Sequence, residues 1–142
     1  MLLEEERKEV IEIALRAARE KLIALTFGNF SLRDRKTGYI CVTPSGMAYD
    51  TLKAEDIVVV DENLNVIDGA RKYSTETPMH CTIYKARPDV FGIAHTHSTF
   101  ASAWACCEMD ITCVVAEVAG LVGGCVKCAP YGCRARRNWR IP

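Results

Sequence analysis

The sequence has no uninterrupted apolar run of 18 residues, no excess of either charge, and no internal repeat or low-complexity linker. The first absence excludes a membrane-spanning helix of ordinary length. The second, a formal net charge of zero from 18 basic and 18 acidic residues, removes the electrostatic grip that nucleic acid or anionic lipid would need. Only the end of the chain departs from that balance, with Arg134, Arg136, Arg137 and Arg140. The third leaves one domain as the natural organisation for 142 residues that are 49% hydrophobic. Met1-Leu2-Leu3 runs straight into Glu4-Glu5-Glu6-Arg7 instead of a signal-peptide core, so a soluble cytoplasmic protein is expected. Histidine is scarce too, with only His80, His95 and His97.

Cysteine is abundant, at positions 41, 81, 106, 107, 113, 125, 128 and 133. Secreted disulfide scaffolds are small, loop-rich and poor in long periodic segments. Most of these cysteines lie inside apolar runs, where reduced thiols serve as small buried hydrophobes. Cys125-Val126-Lys127-Cys128 has the spacing of half a zinc or redox pair, but no second Cys-x-x-Cys accompanies it.

Periodicity predicts an amphipathic helix over 3–24, ended near Gly28, then strands at 30–33 and 39–43 across a polar turn. One helical turn is expected at 52–56 and a hairpin from 57–61 to 65–67. A helix should run from Pro78 to Arg87, because Pro suits a first helical position and Pro88 stops it. A buried strand follows at 90–96, then a helix capped by Ser98, while the type of 111–126 stays open. This is an α/β domain with a mostly antiparallel sheet.

Ala94-His95-Thr96-His97-Ser98 closes the apolar strand. Residues two apart on a strand share a face, so His95 and His97 can present two imidazoles to one metal ion, with the Glu76 carboxylate upstream. Catalytic zinc sites usually take three protein ligands and leave one position open. The competing readings are satisfied core histidines and, for Glu76, a solvated glutamate in the first turn of a helix.

Gly28-Asn29-Phe30-Ser31, Thr43-Pro44-Ser45-Gly46, Ser74-Thr75-Glu76, His95-Thr96-His97 and Cys128-Ala129-Pro130-Tyr131 stand in the order found in the class II aldolase/adducin superfamily. The chain resembles that family from its N-terminal helix to Gly132; L-fuculose-phosphate aldolase and L-ribulose-5-phosphate 4-epimerase typify it. The resemblance implies a three-layer α/β/α fold with a mostly antiparallel central sheet and a fourfold homotetramer. It implies that Gly28, Asn29, Ser45, Gly46, Ser74 and Thr75 bind a substrate phosphate, which hydroxyls, an amide and Gly N–H groups can satisfy without a lysine. His95 and His97 match two zinc histidines. Glu76 matches the catalytic acid/base, which also approaches the zinc. The implied reaction is retro-aldol cleavage of a ketose phosphate such as L-fuculose 1-phosphate into dihydroxyacetone phosphate and an aldehyde. Epimerases share that step but resemble Ser-Ser-Asp at the acid, so Glu76 favours the aldolase; adducin-like members keep the fold as non-catalytic interaction domains. His80 matches no family role and reads as structural.

The family's third zinc histidine lies on a C-terminal segment of roughly 70 further residues, which this chain lacks, so impaired activity is expected. The domain is expected to span 1–132. Residues 133–142 turn abruptly basic where relatives continue with something like Pro-Gly-Thr-x-Glu-Leu-Ala. Back-translated as TGCCGGGCACGAAGGAACTGGCGGATTCC and read from the third base, this tail gives Pro-Gly-Thr-Lys-Glu-Leu-Ala-Asp-Ser. A frameshifted tail is the expectation, set against a basic tail that binds nucleic acid or lipid. Resequencing the gene across the Gly132 codon should reveal the shift; an intact frame followed by a true stop contradicts it.

Overall fold

The amphipathic N-terminal segment folds as α1 (Glu4–Arg19), with Glu4, Glu5 and Glu6 in its first turn and Arg16 and Arg19 in its last, charges that complement the helix dipole. The structure, a computed structural model, describes residues 1–130 of a chain divided into two units, Met1–His97 and Ser98–Pro142. Helix α1 stops short of the expected residue 24. Lys21 takes φ +57°, the Leu22 N–H donates to the Ala17 carbonyl at 3.0 Å and the Lys21 N–H to Ala18 at 3.1 Å. That is a Schellman ending with lysine in the place glycine usually takes, and it lets Ile23 fold back into the core.

Five strands follow in the spatial order β4-β3-β2-β1-β5. They are β1 (Asn29–Arg33), β2 (Ile40–Val42), β3 (Val58–Val60), β4 (Val66–Asp68) and β5 (Gly92–His95). Every pairing is antiparallel. Side chains alternate across the sheet, so its two faces bury different partners. One face packs on α1 through Val10, Ala14 and Ala17 against Phe30, Cys41 and Val59. The other takes α2 (Thr77–Ala86), whose Cys81 and Tyr84 lie on Ile40, Val42, Val58 and Val60. The α1/sheet/α2 layering is the expected α/β/α arrangement. The expected helical turn at 52–56 forms as two short 3-10 turns, Tyr49–Thr51 and Ala54–Asp56.

Arg7 fastens α1 from within. Only 1% exposed, its guanidinium donates to the carbonyls of Leu2, Ala54 and Ile57 and to Asp68 Oδ2 at 2.7 Å. A buried cation is tolerated only with its donors satisfied in this way.

Strand β5 is less buried than its sequence predicts. It pairs with β1 alone, so Ile93 and His95 are half-buried while Gly92 and Ala94 are exposed. In the second unit, α3 (Thr99–Cys106) follows Ser98, whose side chain makes no capping bond, and α4 (Ala116–Val122) ends at Gly123 with φ +81°. Thus 111–126, unassigned from sequence, is a short helix held between bridged Ile111 and Val126. Among the described residues of this unit no side chain is buried. Of the described cysteines, only Cys41 and Cys81 are buried as expected; Cys106, Cys107 and Cys125 are exposed, because the apolar runs that carry them are themselves uncovered. No helix among the described residues is long and apolar enough to cross a membrane.

His80 sits fully buried on the sheet side of α2. Its Nδ1 lies 2.6 Å from Ser31 Oγ, which is 2.8 Å from the Tyr84 hydroxyl, and that hydroxyl donates to the Ser31 carbonyl at 3.1 Å. Burial, then the proximity of His95, pushes the His80 pKa down from 6.5 to about 4. The folded chain therefore holds a neutral imidazole that the unfolded chain protonates. The resulting stability is present above pH 6.5 and is lost as pH falls through about 4, an effect of up to about 3 kcal/mol. Urea unfolding at a series of pH values should show this decline, and His80→Leu should flatten it; an equally steep decline in that variant would contradict the assignment.

Candidate active site

Three backbone segments that the sequence separates are zipped together at one end of the sheet. Thr43 donates its N–H to the Phe30 carbonyl at 3.0 Å, and its Oγ1 accepts the Phe30 N–H at 3.2 Å. On its other side the Thr43 carbonyl accepts the Ser74 N–H at 3.1 Å, and the Ser45 N–H donates to Lys72 at 2.9 Å. Segments 28–30, 43–46 and 72–75 thus run side by side, which gathers Gly28, Asn29, Ser45, Gly46, Ser74 and Thr75 in one region. Because the Ser45 and Ser74 N–H groups are engaged with backbone carbonyls, an anion here would meet hydroxyls and the Asn29 amide instead of those two groups. Ser74 is buried, whereas Ser45, Gly46 and Thr75 are exposed.

The turn into α2 is tied by Thr77, whose N–H and Oγ1 both donate to the Ser74 carbonyl, at 3.0 and 2.7 Å. Glu76 stands immediately before the helix, half-buried, its N–H donating to Ser74 Oγ at 3.3 Å. Its carboxylate does not cap the helix.

Opposite, His95 pairs with Asn29 across β1 and β5, and its Nδ1 lies 3.2 Å from Asn29 Nδ2. The His95 and His97 rings are 5.0 Å apart between centroids, and His97, anchored by its N–H to the Leu22 carbonyl at 3.2 Å, lies 5.9 Å from the Phe27 ring. Burial and the neighbouring His97 lower the His95 pKa, while the Glu76 carboxylate opposes that shift. A neutral imidazole is the form that ligates metal. Two imidazoles with a carboxylate in electrostatic reach fit a zinc-type ion in kind. They do not close around one: among the described residues no three His, Cys, Asp or Glu side chains are grouped to hold a metal.

Sequence reasoning passed over two supports of this site. Ser31 binds His80, and the Tyr49 hydroxyl donates to the Gly28 carbonyl at 2.7 Å. Neither carried a signal of its own, since each partner is distant in sequence.

Gly28 is the tightest point. It takes φ +96°, and a Cβ there would lie 2.7 Å from the His95 carbonyl oxygen and 2.8 Å from Ile23 Cγ2. Gly46 takes φ +72° but faces open space. Gly46→Ala should therefore cost about 1–2 kcal/mol from backbone alone. Gly28→Ala should cost clearly more and move the His95 amide resonance; equal losses in urea unfolding would refute the close-approach argument.

Residues 8–137 match the family described as class II aldolase and adducin N-terminal domain. Among solved structures, the chain is similar to an L-fuculose 1-phosphate aldolase at 34% identity and TM-score 0.78, over 81% of this chain and 54% of that one. It shares its fold with the L-fuculose 1-phosphate aldolase of Glaciozyma antarctica, at 23% identity and TM-score 0.75, over 84% of this chain and 51% of that one. The same holds for the L-fuculose-1-phosphate aldolase of Thermus thermophilus, at 24% identity and TM-score 0.70, over 87% and 61%. The chain thus spans between half and two thirds of the length of these relatives. With its α/β/α layering and antiparallel sheet, the chain belongs to the class II aldolase and adducin N-terminal domain family.

Proposed function

We propose that this chain carries the phosphate-binding and metal-binding parts of a zinc-dependent class II aldolase that cleaves a ketose phosphate such as L-fuculose 1-phosphate. The observation that carries this reading is the convergence of the three zipped segments with the Asn29–His95 pair at the same end of the sheet. Similarity to an L-fuculose 1-phosphate aldolase at 34% identity supports the choice of substrate.

Gly28, Asn29, Ser45, Gly46, Ser74 and Thr75 hold the phosphate, and His95 and His97, with Glu76 nearby, hold the metal. When bound, the ion supplies positive charge that polarises the substrate carbonyl and stabilises the enediolate. The carbon–carbon bond breaks with its electron pair left on the dihydroxyacetone phosphate half. The hydroxyl proton of the departing half passes to water as its aldehyde forms, and Glu76 takes up a proton from water and delivers it to the enediolate carbon. A cytoplasmic homotetramer is part of the proposal. The exposed Phe100, Val114 and Leu121 support an assembly that covers them. The tail 133–142 lies outside the described residues, and in this reading it is frameshifted and takes no part.

Zinc-supplemented cleavage of L-fuculose 1-phosphate, followed by release of dihydroxyacetone phosphate, tests the reading on this chain and on a frame-restored version. Activity is expected in the restored chain, with Glu76→Gln lowering it by about 10²–10⁴-fold. Conversion of L-ribulose 5-phosphate without cleavage would replace the aldolase by an epimerase, and no activity on either would overturn both.

A further inference from the structure

The second unit pairs two thiols that the Cys125-x-x-Cys128 spacing does not announce. Segments 111–114 and 125–128 meet at one antiparallel bridge, where Ile111 and Val126 exchange both backbone hydrogen bonds, at 2.9 and 3.0 Å. In a regular ladder Cys113 would stand level with Gly124, so that Cys113 and Cys125 pointed to opposite faces. The ladder stops before that. Val114 donates its N–H to the Thr112 carbonyl at 3.1 Å, a three-residue turn centred on Cys113. The turn breaks the alternation and aims the Cys113 N–H at the Cys125 sulfur, 3.4 Å away.

That contact holds the Cys113 Cα within about 5 Å of Cys125 Sγ, because N and Cα are bonded neighbours. The Cys113 sulfur is only three covalent bonds from the same nitrogen, and rotation about its Cα–Cβ bond carries it through the space around the Cys125 sulfur. Cys125 and Cys128 fail the corresponding test. No turn or bend interrupts 125–128, so their Cα atoms stand about 10 Å apart, beyond the roughly 7 Å that a disulfide spans. The Cys128 thiol is turned instead to the Ala105 and Ala129 carbonyls, at 3.9 and 3.7 Å. Cys125 is exposed and Cys113 half-buried, and both are free thiols.

We infer that Cys113 and Cys125 form a reversible modification site, at which a small disulfide oxidant such as oxidised glutathione closes a covalent loop around α4. The exposed Cys125, as its thiolate, attacks one sulfur of the oxidant; the oxidant's S–S bond breaks and one glutathione leaves as a thiol. Cys113 then attacks the Cys125 sulfur, and the second glutathione leaves as the Cys113–Cys125 bond forms. Two electrons and two protons pass from the two cysteines to the two glutathiones. The new bond encloses α4 (Ala116–Val122), whose flanks the Ile111–Val126 bridge already draws together. Excess reduced glutathione runs the steps backwards, so the open pair is the resting form in a reducing compartment.

The test treats the full 142-residue chain with oxidised glutathione, alkylates the remaining thiols and cuts after Glu, Lys and Arg. Cuts at Glu108, Glu117 and Lys127 isolate Cys113 in peptide 109–117 and Cys125 in peptide 118–127, each with no other cysteine. Mass spectrometry should find these two peptides joined as the main link of Cys125, and reduced glutathione should separate them. In concentrated urea the main link should shift to Cys125 with Cys128, because the shorter loop closes more readily in an unfolded chain. Cys113→Ser should lose the link and stop at the glutathione adduct on Cys125, while Cys128→Ser should keep the link. A native chain that joins Cys125 chiefly to another cysteine, or leaves it unlinked, would overturn the inference. A Cys113–Cys125 link that is equally dominant in urea would overturn it too, since the fold would then not be what selects the pair.

Discussion

The close approach of Gly28 to the His95 carbonyl is the constraint around which the site is arranged. It sets the first residues of β1 against the last residues of β5, and no side chain larger than hydrogen fits between them. From that contact the Asn29–His95 pairing follows by register. The Tyr49 hydroxyl and Ile23 close on Gly28 from other directions, and Ile23 is there only because α1 ends early in its Schellman turn. A helix ending thus reaches the end of β5 through one glycine, and the His97 N–H, bonded to Leu22, repeats the link one step further along.

The opposite wall of the site belongs to α2. Glu76, His80 and Tyr84 are spaced by four residues and so fall along one side of the helix. Glu76 brings its charge to His95. One turn on, His80 turns inward to Ser31, and Tyr84 completes that bond from below. Ser31 is two residues from Asn29 on the same strand, so the polar chain behind the site and the site itself share β1. The arrangement sets an acidic group at the N-terminal end of a helix that His80 and Tyr84 tie to the sheet through Ser31. In the proposed aldolase reading, this gives Glu76 the fixed position that general acid–base chemistry requires.

Much of this is legible in the sequence, for identifiable reasons. The hairpins and α2 can be read because β-branched runs, Pro78 and Pro88 mark them locally. The antiparallel sheet follows from the short connections between those runs. The end of α1 is not legible, because it depends on Lys21 adopting a left-handed backbone, which lysine does not announce. The exposure of β5 is hidden as well, since an apolar run cannot say whether it will have one neighbour or two. At the site, the residue types and their order can be read, but the pairing of Asn29 with His95 cannot. That pairing arises from a register between strands 66 residues apart, and only the fold sets it.

The central claim, that His95 and His97 are the metal-binding pair of this chain, is tested most directly by anomalous diffraction at the zinc edge from zinc-soaked crystals. The account predicts an anomalous peak bonded to one ring nitrogen of His95 and one of His97. A peak on the exposed cysteines of the second unit, with none at the histidine pair, would contradict it.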